Sequence, residues 1–359
     1  VTTTDHPELG FYALGGQPES PRVIVDEIRH AEALGLGHAF ISERFNTKEA
    51  CTLSGAAAAV SEHIGIATGA TNHNTRHPMV TAAYALTMHG MSNGRFTLGL
   101  GRGVPPLQDA FGMPRITTAQ MEDFVGVMRR LFRGETIVGH DGPIGKYPAL
   151  RLGQDYDVDI PMGMVAFAPN SLELAGRVMD QVILHTFFTD ETLARCVKTV
   201  KSSAERAGRN PDDVKVWSCL ATIGDHIPEE TRLRKLVGRL ATYLQGYGDL
   251  MVRTNRWDPE VLQRFREDVV VKSFSEGGLQ VIDSPTTTVD QLEHIAGLLP
   301  PEWTAPAATG SPQNCVATIG EQLALGADGV ILHGATPAEL EPIVDAYRAR
   351  TPGDPGVPS

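Results

Sequence analysis

Cysteine is scarce and scattered in this chain of 359 residues: Cys51, Cys196, Cys219 and Cys315 are the only four, and no two form a Cys-x-x-Cys pair. That spacing speaks against a disulfide scaffold and a structural zinc module, so buried thiols are expected. No apolar run approaches the roughly 20 residues of a membrane span. The opening VTTTDHPELG lacks the basic-then-apolar pattern of a secretory signal, and a cytoplasmic protein is expected. Positive charge is also in short supply, with 31 Lys and Arg against 43 Asp and Glu and a formal net charge of −12. A nucleic-acid partner needs a basic face and does not fit that balance. An acidic surface serves solubility and leaves room for a local basic pocket around an anionic cofactor.

Several catalytic signatures are missing too. No Gly-x-Gly-x-x-Gly turn follows the first strand, no His-Glu-x-x-His occurs, and neither a Ser-His-Asp arrangement nor a pair of catalytic carboxylates can be picked out. What remains is an ordinary globular composition, 42% hydrophobic and 21% charged. The length alone would suit two domains, but barrels of alternating strands and helices exceed about 250 residues as one.

The most informative stretch is Ile64 to Gly103, IGIATGATNHNTRHPMVTAAYALTMHGMSNGRFTLGLGRG. Ile64–Ala70 is an apolar run suited to a strand buried on both faces, and Thr71–His77 is a polar loop. Pro78 suits a helix first turn, with His77 as its cap, and Met79–Met91 reads as that helix. Phe96–Leu100 is a second strand running into Gly101-Arg102-Gly103. Upstream, a strand over Leu9–Leu14 ends at Gly15-Gly16, a helix starts at Ser20-Pro21, and a strand over His38–Ser42 ends at Glu43-Arg44-Phe45. Downstream come a helix (Thr117–Phe132), a hairpin (Gly134–Leu152), strands at Ile160–Ala166, Val182–Leu184 and Val214–Ile223, and a last helix–strand unit from Cys315 to Leu332.

Eight strands result, starting near Leu9, His38, Ile64, Phe96, Ile160, Val182, Val214 and Val330, mostly separated by helices. The expected fold class is therefore α/β, a (β/α)8 barrel, with an open doubly wound sheet as the alternative. The boundaries expected are one barrel domain over 1–351 with a charged helical insertion over about 228–312, a lid or a subunit contact, and a disordered Pro/Gly-rich tail over 352–359.

In such a barrel, groups at strand C-termini converge on one mouth. Glu43-Arg44 there is either an ion pair or part of the site. His73 and His77 stand four apart, but Pro78 makes the segment a loop, so no metal is expected; His73 is a loop contact or a substrate contact. Pro169-Asn170-Ser171 at a helix start is a candidate phosphate seat, because the first N–H groups of a helix are free. Gly101-Arg102-Gly103 permits close backbone approach and offers a guanidinium fork.

Thr71-Asn72, Thr75-Arg76-His77-Pro78, Gly94-Arg95-Phe96 and Leu98 to Gly103 together resemble the bacterial-luciferase-like superfamily of flavin and deazaflavin oxidoreductases. Its coenzyme F420-dependent branch is the nearest likeness. Ser42-Glu43-Arg44-Phe45, Pro169 with Leu174 to Arg177 and Asp180, and Gly326 to His333 extend the likeness over nearly the whole chain. The resemblance implies an eight-stranded barrel with a ring of isoalloxazine type across its mouth, backed by a non-prolyl cis peptide at Gly69-Ala70. It implies that Glu43 lies near the ring or ribityl chain and that Thr71 and Asn72 flank the cis peptide. It further implies that Arg102 and Gly103 meet the ribityl chain and phosphate, and that Ala168, Pro169, Asn170 and Ser171 hold the phosphate or line the pocket beside it.

The family's sugar-phosphate dehydrogenase has Asp-His where Glu43-Arg44 stands and an acid where Val104 stands, so a sugar phosphate is not the expected substrate. Glu43, Arg44 and His185 are the expected catalytic residues, His185 as proton donor or substrate anchor, and His73, His185 and His333 are expected in the substrate pocket. The implied activity is F420-dependent hydride transfer to or from a small organic molecule by a homodimer. The alternatives are an FMN-dependent monooxygenase and a non-catalytic flavin-binding protein of the same fold.

Overall fold

A computed structural model describes residues 4–15, 18, 20–44, 47–153, 156–276 and 280–350. Gly16, Phe45 and the 352–359 tail, named above, lie outside the described residues. The strands are β1 (His6–Tyr12), β2 (Leu36–Ile41), β3 (Gly65–Thr68), β4 (Phe96–Leu100), β5 (Ile137–Gly142), β6 (Gly145–Leu150), β7 (Met162–Val165), β8 (Gln181–Ile183), β9 (Lys215–Gly224), β10 (Ala307–Gly310) and β11 (Gly329–His333). Eight of them pair in parallel in the order β9-β11-β1-β2-β3-β4-β7-β8, and β8 pairs back to β9, which closes the barrel. β5 and β6 form the expected antiparallel hairpin.

Local chemistry explains the elements. β3 and β4 are buried at every position, as strands covered by helices on the outside and by side chains on the inside must be. Pro78 opens the helix Pro78–Met91, and His77 Nδ1 accepts the Met79 N–H at 3.2 Å, so His77 is the cap expected. Thr117 and Gln120 form a capping box on Thr118–Phe132, whose buried stripe includes Met121, Phe124, Val125, Met128 and Leu131. Between β3 and β4 the chains pass so close that a Cβ on Gly99 would lie 1.7 Å from the Thr68 carbonyl oxygen, so only glycine fits. Asp180 accepts the Met162 N–H at 2.8 Å and pairs with Arg129 at 3.0 Å, which ties β7 to the helical shell. Inside the barrel, Phe40, Ala67, Ile183, Trp217 and Ile331 pack together beneath the mouth.

Three elements were not anticipated. Helix Pro105–Ala110 follows Gly103, helix Pro337–Arg348 follows β11, and β10 lies inside the 228–312 stretch, where it pairs with the end of β9 at Ala221–Gly224. Proline at the first position of Pro105–Ala110 is already in helical geometry. Most of the other described residues of that stretch are helical, and they share an apolar core with Phe187 and Ala221 in which Trp257 stacks on Trp303 at 4.6 Å. Its helix Arg239–Asn255 breaks at Tyr247, where φ is −154° and ψ is 36°. Among the described residues, no helix is long and apolar enough to cross a membrane. The described cysteines are free, and Cys196, Cys219 and Cys315 are buried.

Candidate active site at the barrel mouth

The C-terminal ends of β3, β4 and β7 form one arc of the mouth. The Gly69-Ala70 peptide is cis. It is stitched to the end of β2 on both sides: the Gly69 N–H donates to the Ile41 carbonyl at 2.8 Å, and the Glu43 N–H donates to the Ala70 carbonyl at 3.0 Å. A Cβ on Gly69 would press on Tyr12 at 3.0 Å and on Phe40 at 3.2 Å, so the segment is packed hard from one side. Thr71 exchanges backbone hydrogen bonds with Gly99 and Gly101 at 3.0 and 2.8 Å, and Asn72 Nδ2 donates to the Gly101 carbonyl at 2.7 Å.

Arg102 is half-buried; Nη2 donates to Thr118 Oγ1 at 2.7 Å while Nε is buried with no partner, and burial lowers the guanidinium pKa. Gly103 has φ +75° beneath Gln108, which caps the Arg102 carbonyl at 2.6 Å. Ala168 precedes the helix Pro169–Val178, no side chain caps that start, Asn170 is exposed and Ser171 is buried.

Glu43 does not pair with Arg44 through its side chain. Its carboxylate, 4% exposed, is gripped by Arg76 at 2.7 and 3.2 Å, and it accepts the Thr71 hydroxyl. Burial works against the Arg76 charge, but Glu43, with Cys51 and Glu49, holds the guanidinium pKa above its ordinary value. Both oxygens of Glu43 are thus committed to the 71–76 loop. Arg76 was quoted in the sequence only as part of a motif; its partner lies 33 residues away, a pairing that no local pattern reveals.

The opposite arc carries β8, β11, β1 and β2. Here His185 is neutral and saturated: Nδ1 donates to the Thr186 carbonyl at 3.0 Å, which leaves Nε2 to accept from the Tyr247 hydroxyl at 2.7 Å. Burial lowers its pKa to about 4, and in this arrangement His185 accepts from the Tyr247 hydroxyl and orients it. His333 touches the Tyr243 hydroxyl through Nε2 at 3.3 Å and meets the edge of Tyr12, with ring centroids 5.3 Å apart.

His73 is not brought together with these two. It stacks on Phe124 of the outer helix, with ring centroids 4.7 Å apart. Arg44 sits half-buried beside Arg239, Tyr243, Asp283 and Tyr247. Tyr243 and Tyr247 escaped the sequence reading because they stand in the charged insertion. Their i, i+4 spacing on one helix face was the available signal.

The family model described as luciferase-like monooxygenase matches residues 7–329. The chain is 25% identical over 307 residues to the 5,10-methylenetetrahydromethanopterin reductase of Methanolobus tindarius, covering 84% of this chain and 86% of that protein. The solved structure of the coenzyme F420-dependent tetrahydromethanopterin reductase from Methanopyrus kandleri superposes with a TM-score of 0.76 at 20% identity, over 95% of this chain and 98% of that one. An F420-dependent secondary alcohol dehydrogenase in complex with an F420-acetone adduct superposes at 0.68 and 17% identity, over 97% and 100%.

Proposed function

The chain belongs to the luciferase-like monooxygenase family, and from that premise we propose that it is a coenzyme F420-dependent oxidoreductase that moves a hydride between the deazaflavin and a small organic substrate. The observation that carries the reading is the β3–β4–β7 arc. It offers a side-chain-poor edge at Gly69-Ala70 and Gly101, a buried guanidinium nitrogen on Arg102 without a partner, and an uncapped helix start at Pro169. Those features suit a flat ring carrying an anionic tail. The relatives named for F420 support the same choice.

When bound, a deazaflavin supplies or accepts a hydride at its ring. This chain's residues would do the rest. Gly69, Ala70, Thr71 and Asn72 back the ring, while Arg102, Gly103 and Ala168 to Ser171 take the ribityl chain and phosphate. Glu43 positions the 71–76 loop through Arg76. Tyr243 and Tyr247, with Phe167 packed against His185 at 4.9 Å, exclude water from the far side. The Tyr247 hydroxyl, held by neutral His185, is the nearby proton-bearing group. We also propose that the protein is cytoplasmic and, on the resemblance alone, a homodimer.

Fluorescence titration with F420 and FMN tests the reading. F420 is expected to bind at least tenfold tighter, a difference of about 1.4 kcal/mol. Arg102→Gln is expected to weaken it about tenfold by removing the charge from the tail. FMN binding tenfold tighter than F420, with oxygen consumed when reduced FMN is supplied, would transfer the assignment to a monooxygenase.

A further inference from the structure

The far arc of the mouth has an excess of positive charge in an otherwise acidic protein. Arg44 and Lys48 are clamped together by two backbone hydrogen bonds, Arg44 N–H to the Lys48 carbonyl at 3.0 Å and Lys48 N–H to the Arg44 carbonyl at 2.9 Å. Lys48 Nζ reaches back to the end of β1, donating to the carbonyls of Ala13 at 3.2 Å and Leu14 at 3.0 Å. Tyr12, one residue earlier, contacts His333, and His333 contacts Tyr243, over whose ring Arg239 lies at 5.9 Å. Arg239 enters from the insertion, 9% exposed, and its Nη1 pairs with Asp283 at 3.0 Å.

Two buried nitrogens in this chain of contacts have no partner, Nε of Arg239 and Nδ1 of His333. Among the described residues, two carboxylates face the group. Asp283 is engaged by Arg239, and Glu27 lies beneath Lys48, accepting the Leu14 N–H at 2.7 Å. Burial raises the Glu27 pKa against the pull of the Leu14 N–H and of Lys48.

We infer that the substrate carries an oxyanion, a carboxylate or a phosphate, seated on the β11–β1–β2 arc by Arg44, Lys48, Arg239 and Nδ1 of His333. The inference rests on the F420 reading only for the identity of the molecule that exchanges the hydride. Strand order separates this seat from the cofactor's own phosphate, which the proposal places on the β4–β7 arc. An anion here gives the two unpartnered nitrogens a partner and relieves repulsion among three cations. Burial first, then Arg44 and Arg239 against the pull of Glu27, brings the Lys48 pKa down to about 7, and burial with Arg239, His185, Arg44 and Lys48 holds His333 neutral. The seat is therefore most positive below pH 7, and a bound anion draws a proton onto Lys48.

The test is calorimetric titration of the F420-loaded protein with sodium sulfate and sodium benzoate, against sodium chloride at constant ionic strength. Saturable binding at least tenfold tighter than chloride is expected. Sulfate affinity should fall as pH rises from 6 to 9, because sulfate stays a dianion while Lys48 loses its proton. Lys48→Met is expected to weaken sulfate about tenfold. Sulfate and benzoate binding no tighter than chloride would overturn the inference, as would an unchanged sulfate affinity in Lys48→Met. If F420 fails to bind, the F420 reading falls by itself, and the same titrations on the cofactor-free protein and on Lys48→Met still decide whether the seat exists.

Discussion

Arg76→Met is expected to destabilise the protein by about 3–5 kcal/mol, read as a lowered urea midpoint, because it strands a buried carboxylate. Glu43 is 4% exposed and Arg76 16% exposed, so little water is available to replace the lost guanidinium. The Thr71 hydroxyl alone cannot compensate a full charge. Arg76→Lys should recover only part of the loss, since an ammonium is a point donor and cannot span both oxygens. The double variant Glu43→Leu/Arg76→Leu should cost less than the sum of its singles, because removing both charges removes the desolvation penalty with them. F420 affinity should fall with stability in Arg76→Met, as the 71–76 loop that backs the ring loses its anchor. A cost below about 1 kcal/mol would mean that the pair behaves as a surface ion pair.

Acidification should destabilise the fold well above the carboxylate range. Burial holds His38 and His73 at pKa values of about 4, against 6.5 for the ordinary imidazole. As pH falls through 6.5 the unfolded chain takes up these protons, whereas the folded chain resists until near pH 4. Their contribution is complete above pH 6.5 and is lost progressively between 6.5 and 4. At pH 5 each should cost about 1–2 kcal/mol relative to pH 7. His185, also held at about 4, adds in the same direction, discounted because it lines the open mouth. Urea midpoints at pH 7.5, 6 and 5 should fall steadily, and His38→Gln should flatten the slope by about one proton. A midpoint constant across that window would contradict the burial of these rings.

Much of the scaffold was legible because it rests on local rules. The apolar run at Ile64–Ala70 marked β3 and His77-Pro78 marked a helix start. The cis peptide at Gly69-Ala70 came from the resemblance, not from periodicity. The site was only partly legible, since its decisive contacts join distant residues. Glu43 meets Arg76 across a strand, Lys48 reaches back to β1, and Tyr243, Tyr247 and Arg239 descend from a segment whose charge reads as solvated surface. His185 looked reactive in sequence because an imidazole titrates near neutrality; burial lowers its pKa to about 4.

The central claim divides the mouth into a cofactor arc and a substrate arc, and a crystal structure of the F420 complex tests it most directly. The account predicts the ring against residues 69–72 and 101–103, with the tail running past Arg102 to the helix start at Pro169. A ring lodged instead among Arg44, Lys48 and His333 would contradict it.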